Sequence, residues 1–307
     1  MNAAIKIVVT FIRWGFGLGL SWNAWQQGHT GFALFWLVLA ASVFAIILLP
    51  GHLMAYRGGQ REGCRPLSLR EWLRSWLLET WYCERIFVWE QAFRSLSCAD
   101  YLPAHSEQRG VLLVHGFLCN RGFWNQWMPR LRAQSTPYAA ITLEPTFGSI
   151  DDYPAIIEAA MVKLEACTGK PPILVAHSMG GLAIRAWAAQ KPGNIERVHS
   201  VLALGSPHYG TYLAKLAFTP NGQQMRRHSQ WLKKLASTEN HQTGQKFTCY
   251  FSASDNIVSP PSSACLSGAQ YIDCTGAGHV TLAYLAQPYE ELCRQLAAVA
   301  AKPVDGV

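Results

Sequence analysis

Ala176-His177-Ser178-Met179-Gly180-Gly181 is entered from the apolar run Pro172-Ile173-Leu174-Val175 and left through Leu182-Ala183-Ile184-Arg185-Ala186-Trp187. It reads as a strand, one sharp turn and a helix with a serine at the apex. Few architectures accept that succession, because the helix must turn back onto the strand it has just left. Gly180 and Gly181 allow that close packing. A hydroxyl is a poor nucleophile at neutral pH. A turn that lifts it clear of a sheet, beside the amides of a helix start and toward a base, is one way to activate it.

The other parts such a serine needs follow in order along the chain. Val111-Leu112-Leu113-Val114 is a short apolar strand that runs directly into His115-Gly116-Phe117. A tetrahedral intermediate needs two preorganised donors, and the backbone N–H groups of Phe117 and Met179 are the candidates; losing one such donor typically costs about 2.7–4 kcal/mol. Lys246 to Ser252 alternates as a strand, and Asp255 lies just beyond its end. Ala269 to Cys274 forms the next strand, after which Thr275-Gly276-Ala277-Gly278 presents His279. The order is therefore Ser178, Asp255, His279. A loop aspartate also serves as a cap for turns, and Asp273 is a rival acid, but it lies inside the last strand and points away from the carboxyl end. His177 faces opposite to its serine neighbour. His115 belongs to its own turn, and His208, after Gly205-Ser206-Pro207, lines the site or its turn.

Taken together, Val114-His115-Gly116-Phe117, Ala176 to Gly181, Gly205-Ser206-Pro207-His208-Tyr209-Gly210-Thr211 and Gly278-His279 resemble the bacterial lipase/esterase branch of the α/β-hydrolases over roughly residues 108–300. Ala176 departs from the usual pattern, which has glycine there, but keeps the side chain small. The Ser-Pro-His-X-Gly-Thr stretch is similar to a Thr-Pro-His-X-Gly-Thr element of triacylglycerol lipases. The resemblance implies carboxylic ester hydrolysis by a Ser178–His279–Asp255 triad, with His115, Gly116, His177 and Gly180 supporting the elbow and the oxyanion loop. It does not name the ester, and no metal or organic cofactor is expected. The fold also hosts acyltransferases, and a scaffold without chemistry is a further alternative.

The expected fold class is α/β: a mostly parallel sheet with helices on both faces, preceded by one or two transmembrane helices. Gly31 to Leu49 carries 19 residues without a charge, long enough as one helix for about 28 Å. Ile5 to Trp25 is also apolar but is interrupted by Lys6 and Arg13. Residues 1–50 thus read as a membrane anchor in the form of a two-helix hairpin. Residues 51–107 form an Arg- and Trp-rich juxtamembrane connector, and residues 108–300 the catalytic domain. Arg57, Arg61, Arg65, Arg70 and Arg74 crowd the far side of the apolar segments, which places the catalytic domain on the cytoplasmic face of a bacterial inner membrane. Nine cysteines at irregular spacing fit a reducing compartment.

Net charge is +7, much of it from these arginines, and no nucleic-acid-binding motif is present. The expected partners are an ester or lipid substrate and a membrane. In the connector, Trp72, Trp76 and Leu77 recur at helical spacing, as do Trp81, Arg85, Val88 and Trp89. They fit either a helix along the headgroups or one packed on the catalytic domain. Residues 209–245 form a long insertion where a cap is expected, with a basic amphipathic helix around Trp231 to Leu235. The aromatic region around Phe117, Phe123, Trp124 and Trp127 fits an acyl-site lining, whereas residues 123–131 equally fit a helix packed on the sheet. Thr281 to Ala300 reads as the closing helix.

Overall fold

A computed structural model describes residues 2–239 and 242–297. Strands β1 (Val111–Val114), β2 (Tyr138–Ala140), β3 (Ile173–His177), β4 (Ser200–Leu204), β5 (Phe247–Phe251) and β6 (Gln270–Asp273) form one sheet in the order β2-β1-β3-β4-β5-β6. Every pair is parallel. The strand order reverses around β1, so the loops leaving β1 and β3 open the crevice where ligands bind in sheets of this kind.

Strands covered on both faces read as continuous apolar runs, with alternate residues serving opposite faces. Leu112, Leu174, Val201 and Phe247 pack with the helices Pro154–Thr168 and Met179–Gln190. Val111, Ile173, Leu202 and Tyr250 pack with Phe123, Trp124, Trp127, Leu282 and Leu292. The three aromatics at 123–127 are therefore core residues, packed on the sheet. The closing helix begins later than its periodicity predicts. Thr281–Tyr284 is a 3-10 turn, and the α-helix runs Ala286–Ala297; residues 298–300 of the expected helix lie outside the described residues. Pro288 is the reason, because proline fits the first turn of a helix but not its interior.

Ahead of the sheet lie α1 (Asn2–Gln26), α2 (Thr30–Ala41), α3 (Val43–Arg61) and α4 (Leu69–Cys83). The uncharged run 31–49 is not one helix: it breaks at Ser42 with a bend of 56°. Arg13 supplies the cause. Its Nε donates to Ala40 O at 2.6 Å and its Nη2 to Ala41 O at 3.1 Å, occupying the carbonyls at the end of α2. The same guanidinium pairs with both oxygens of Glu84, at 2.8 and 2.6 Å. The one helix long and apolar enough by itself to cross a membrane is thus α1, among the described residues, and α2 with α3 qualifies only as a bent pair. Val8, Phe11, Ile12, Phe16 and Trp22 of α1 are exposed.

A Ser68–Glu71 capping box opens α4. Trp72 and Trp76 of α4 donate their indole N–H groups to His52 O and Ala45 O of α3, at 3.5 and 3.0 Å. The chain continues through a π-helical turn, Glu84–Glu90, whose Ile86 is fully buried in the sheet's second core. Trp81 and Trp89 stay exposed, so the connector packs one aromatic set and presents the other outward.

In the insertion after β4, the helix Gln230–Thr238 buries Leu232 and Leu235 and leaves Lys233 and Lys234 exposed. Arg185 ties the insertion down. Its Nε and Nη2 each donate to Glu239 at 2.6 Å, and its Nη1 donates to His208 O at 2.9 Å.

Candidate active site

Ser178 holds φ +55° and ψ −129°, a conformation that a non-glycine residue keeps only where its surroundings impose it. Its N–H donates to Leu204 O of β4 at 2.9 Å. The following helix folds back so tightly that a Cβ at Gly180 would stand 2.7 Å from Val114 O and 2.8 Å from His115 O. Ala176, in register with Val114 and Ala203, is fully buried and its methyl fits.

The loop after β1 crosses the serine. A Cβ at Gly116 would lie 2.6 Å from Ser178 Cβ and 3.2 Å from its Oγ. His115 fixes this loop from both ring nitrogens: Nδ1–H donates to Gly116 O at 2.8 Å, and Nε2 accepts the N–H of Leu143 at 3.0 Å. Burial holds its pKa down at about 4, which keeps the neutral ring that this pair of bonds requires.

Asp255 and His279 form one buried pair. Asp255 Oδ2 accepts from His279 Nδ1 at 2.8 Å, while Oδ1 accepts the N–H groups of Ile257 and Val258 at 2.9 and 2.8 Å. Burial disfavours the imidazolium, but the charge and hydrogen bond of Asp255, with the further charge of Glu79, outweigh it and raise the His279 pKa above its ordinary value. Gly205, next to the Leu204 that holds Ser178, lies against both Asp255 Oδ2 and His279 Nδ1. Ser178 and the pair therefore flank the end of β4, the strand that lies between β3 and β5. Asp273 is exposed and caps its own turn, accepting from Thr275 N at 2.8 Å.

His177 and His208 pack. His177 donates Nε2–H to His279 O at 3.0 Å and stacks on Phe123 with ring centroids 4.4 Å apart. Burial and the neighbouring His279 push its pKa well below the usual value. His208 is buried against Phe247, and burial together with Arg185 pushes its pKa down in the same way.

One carboxylate at this site is not apparent as such from motifs. Glu79 of α4 is fully buried: its Oε1 accepts Val280 N–H at 2.8 Å, and its Oε2 accepts Thr281 N–H at 2.9 Å and Thr281 Oγ–H at 2.8 Å. It thus binds the two residues after His279. The signal that reveals it is an acid inside the otherwise apolar stripe Trp72, Trp76, Glu79, Cys83. Two more N-terminal helices reach the other two loops. Lys6 of α1 donates to Leu118 O at 2.6 Å and Asn2 donates to Cys119 O, while Gly51 of α3 lies against the carbonyl of Asn256.

A cavity of 120 Å³ opens beside Ser178, walled by Phe117, Leu213, Ala217, Met225 and Ile257. Among the described residues no cluster of His, Cys, Asp or Glu is arranged to hold a metal ion.

A parallel sheet of this order, with a serine elbow after its third strand and an acid and a histidine after later ones, defines the α/β-hydrolase architecture. The Alpha/beta hydrolase family profile matches residues 111–290, and the chain belongs to that family. In structure it is similar to the mature form of the Bacillus licheniformis lipase BlEst2, with TM-score 0.55 and 18% identity, covering 64% of this chain and 96% of that one. Aspergillus fumigatus lipase B gives TM-score 0.50 at 19% identity, covering 59% of this chain and 49% of the fungal one. At such identities the likeness establishes the fold. No curated protein matches the chain by sequence.

Proposed function

We propose that the chain is a membrane-anchored serine hydrolase that cleaves carboxylic esters, as an esterase or lipase, through an acyl-serine intermediate. The observation that carries this reading is the buried Asp255–His279 pair beside the Ser178 elbow, under the Gly116 crossing. The two structural neighbours above are themselves lipases by name. His279 takes the Ser178 proton as Oγ attacks the ester carbonyl, and Asp255 holds the imidazole tautomer and stabilises its charged form. The N–H groups of Phe117 and Met179 receive the oxyanion. His279 then protonates the leaving alcohol and activates the water that releases the acid. The apolar cavity beside Ser178 takes acyl carbons. Ser178→Ala is expected to lose turnover of p-nitrophenyl esters and labelling by a fluorophosphonate while keeping its thermal transition. Labelling or turnover that survives in the variant rejects Ser178 as the nucleophile.

The exposed apolar face of α1 supports anchoring in a bacterial inner membrane. The arginines at 57, 61, 65, 70 and 74 favour a cytoplasmic catalytic domain. Protease added to intact spheroplasts should leave that domain whole; its digestion there reverses the topology.

A further inference from the structure

A second, larger cavity lies behind the acyl cavity, and its chemistry differs. It has a volume of 990 Å³ and is walled by α3 and by the start of the insertion after β4. Four cations line it: Arg57 and Arg61 from α3, Lys215 and Arg227 from the insertion. Its one acid, Glu62, is already engaged by Ser262, which donates its backbone N–H at 2.9 Å and its hydroxyl at 2.5 Å. None of the four cations has an ion pair among the described residues, and the buried Nε–H of Arg227 has no partner there either. Arg227 and Lys215 instead stand over the ring of Tyr212, at 4.8 and 5.7 Å from its centroid.

Like charges spaced four residues apart on a helix repel one another. A position near the helix C-terminus makes Arg61 comfortable, but it does not explain why Lys215 and Arg227 converge on the same space from another part of the chain. An anion does. The remaining wall is apolar, with Leu53, Met54 and Leu216. Leu216 is 73% exposed and the nearby Phe218 88%, an apolar lip beside the apolar helices.

The wall between the two cavities is shared. Thr211, Leu213, Ala214 and Ala217 line the cavity at Ser178, whereas Tyr212, Lys215 and Leu216 line the basic one. Ile257 and Val258 likewise line the first cavity, and Ser259 and Pro260 the second.

We propose that this basic cavity holds the phosphate of an anionic glycerophospholipid whose acyl ester is delivered to Ser178. Basic pockets beside membrane helices are suited to such headgroups. The proposal rests on the serine-hydrolase reading and narrows its substrate class. The reaction is then hydrolysis of one acyl ester. Ser178 Oγ bonds to the acyl carbon, the glycerol oxygen leaves with a proton from His279, and water cleaves the acyl-serine to give a fatty acid and a lysophospholipid.

Binding and chemistry are tested apart. Full-length Ser178→Ala protein in an uncharged detergent is mixed with equimolar phosphatidylglycerol and phosphatidylcholine, and retained lipid is counted by native mass spectrometry. Phosphatidylglycerol should exceed phosphatidylcholine at least tenfold, and Arg57→Ala with Arg227→Ala added should bring the ratio near one at an unchanged melting temperature. Equal retention of the two lipids overturns the proposal, as does a preference that survives in the triple variant. Glycerol 3-phosphate that displaces the lipid at equal concentration means a site for free phosphate, which also overturns it. Turnover of p-nitrophenyl butyrate by the wild type reports separately on the hydrolase reading.

Discussion

Glu79→Gln separates a carboxylate that positions His279, the proposed base, from one that merely fills space. In the native protein three donors from Val280 and Thr281 point at Glu79, 2.8–2.9 Å away. A glutamine keeps one acceptor oxygen and turns an NH₂ toward Thr281. The Thr281 hydroxyl can rotate to accept from it, whereas the Thr281 amide cannot. Bonds to a charged acceptor contribute about 1.5–3 kcal/mol each, and an orphaned buried donor costs about 1–3 kcal/mol. The expected loss is therefore about 2–4 kcal/mol, within the roughly 5–15 kcal/mol that a folded domain holds, so the variant should fold with a lowered melting temperature.

Its kinetics carry the decisive signature. The base must be neutral, so kcat/KM in the wild type should rise with pH through a value above the ordinary 6.5 of histidine, because Asp255 and Glu79 raise the His279 pKa against the effect of burial. Removing the Glu79 charge should move this acid limb to lower pH. A loop released to drift by about 1 Å should cost kcat about 10–100-fold with little change in KM. Glu79→Asp keeps the charge and should keep the acid limb. The assay is p-nitrophenyl butyrate hydrolysis from pH 5 to 9, beside thermal unfolding. A variant that melts early yet keeps the wild-type kcat and acid limb refutes the positioning role.

Gly116→Ala forces a methyl to within 2.6 Å of Ser178 Cβ; by displacing the oxyanion loop it should lower kcat about 10²–10³-fold, read in the same ester assay with circular dichroism as the check on folding. Arg185→Ala leaves Glu239 without the partner it meets at 2.6 Å. Breaking a buried pair of this kind costs about 3–5 kcal/mol, so chemical denaturation should show that loss. The Asp255–His279 pair adds stability below the unfolded histidine pKa, and that share should fade as pH rises through the raised folded value.

The elbow and the sheet were legible because their information is local. β3 and the residues around Ser178 announce a strand, a turn and a helix within sixteen positions, and the runs of β1, β5 and β6 lie where expected. The chain order of Ser178, Asp255 and His279 was equally readable, since each follows a strand end. Hydropathy alone could not locate the break at Ser42, because its cause, Arg13, lies 28 residues away from Ala41 in another helix. Glu79 escaped motif reading for the same reason, since its partners are some 200 residues downstream. Long-range polar contacts leave only faint marks in sequence, such as one acid in an aromatic stripe.

Those long-range contacts share a direction: α1 holds the oxyanion loop through Lys6, α3 lies on the acid loop through Gly51, and α4 holds the histidine loop through Glu79. The composition boundary at 107/108 is thus crossed at all three loops of the candidate site. Residues 108–307 expressed alone would lose the Glu79 bonds and the cover of Ile86, whose burial alone contributes about 1.5–3 kcal/mol, and would expose the core around Phe123 and Trp124. These losses approach the whole stability of a domain. The fragment should show no cooperative thermal transition and no fluorophosphonate labelling. A fragment that melts cooperatively and labels at the wild-type rate would mean that the N-terminal helices only tether the enzyme. If it instead fails while added residues 1–107 restore labelling, the helices complete the active site, and a change in how they sit in a membrane would reach Ser178 through the loops they hold.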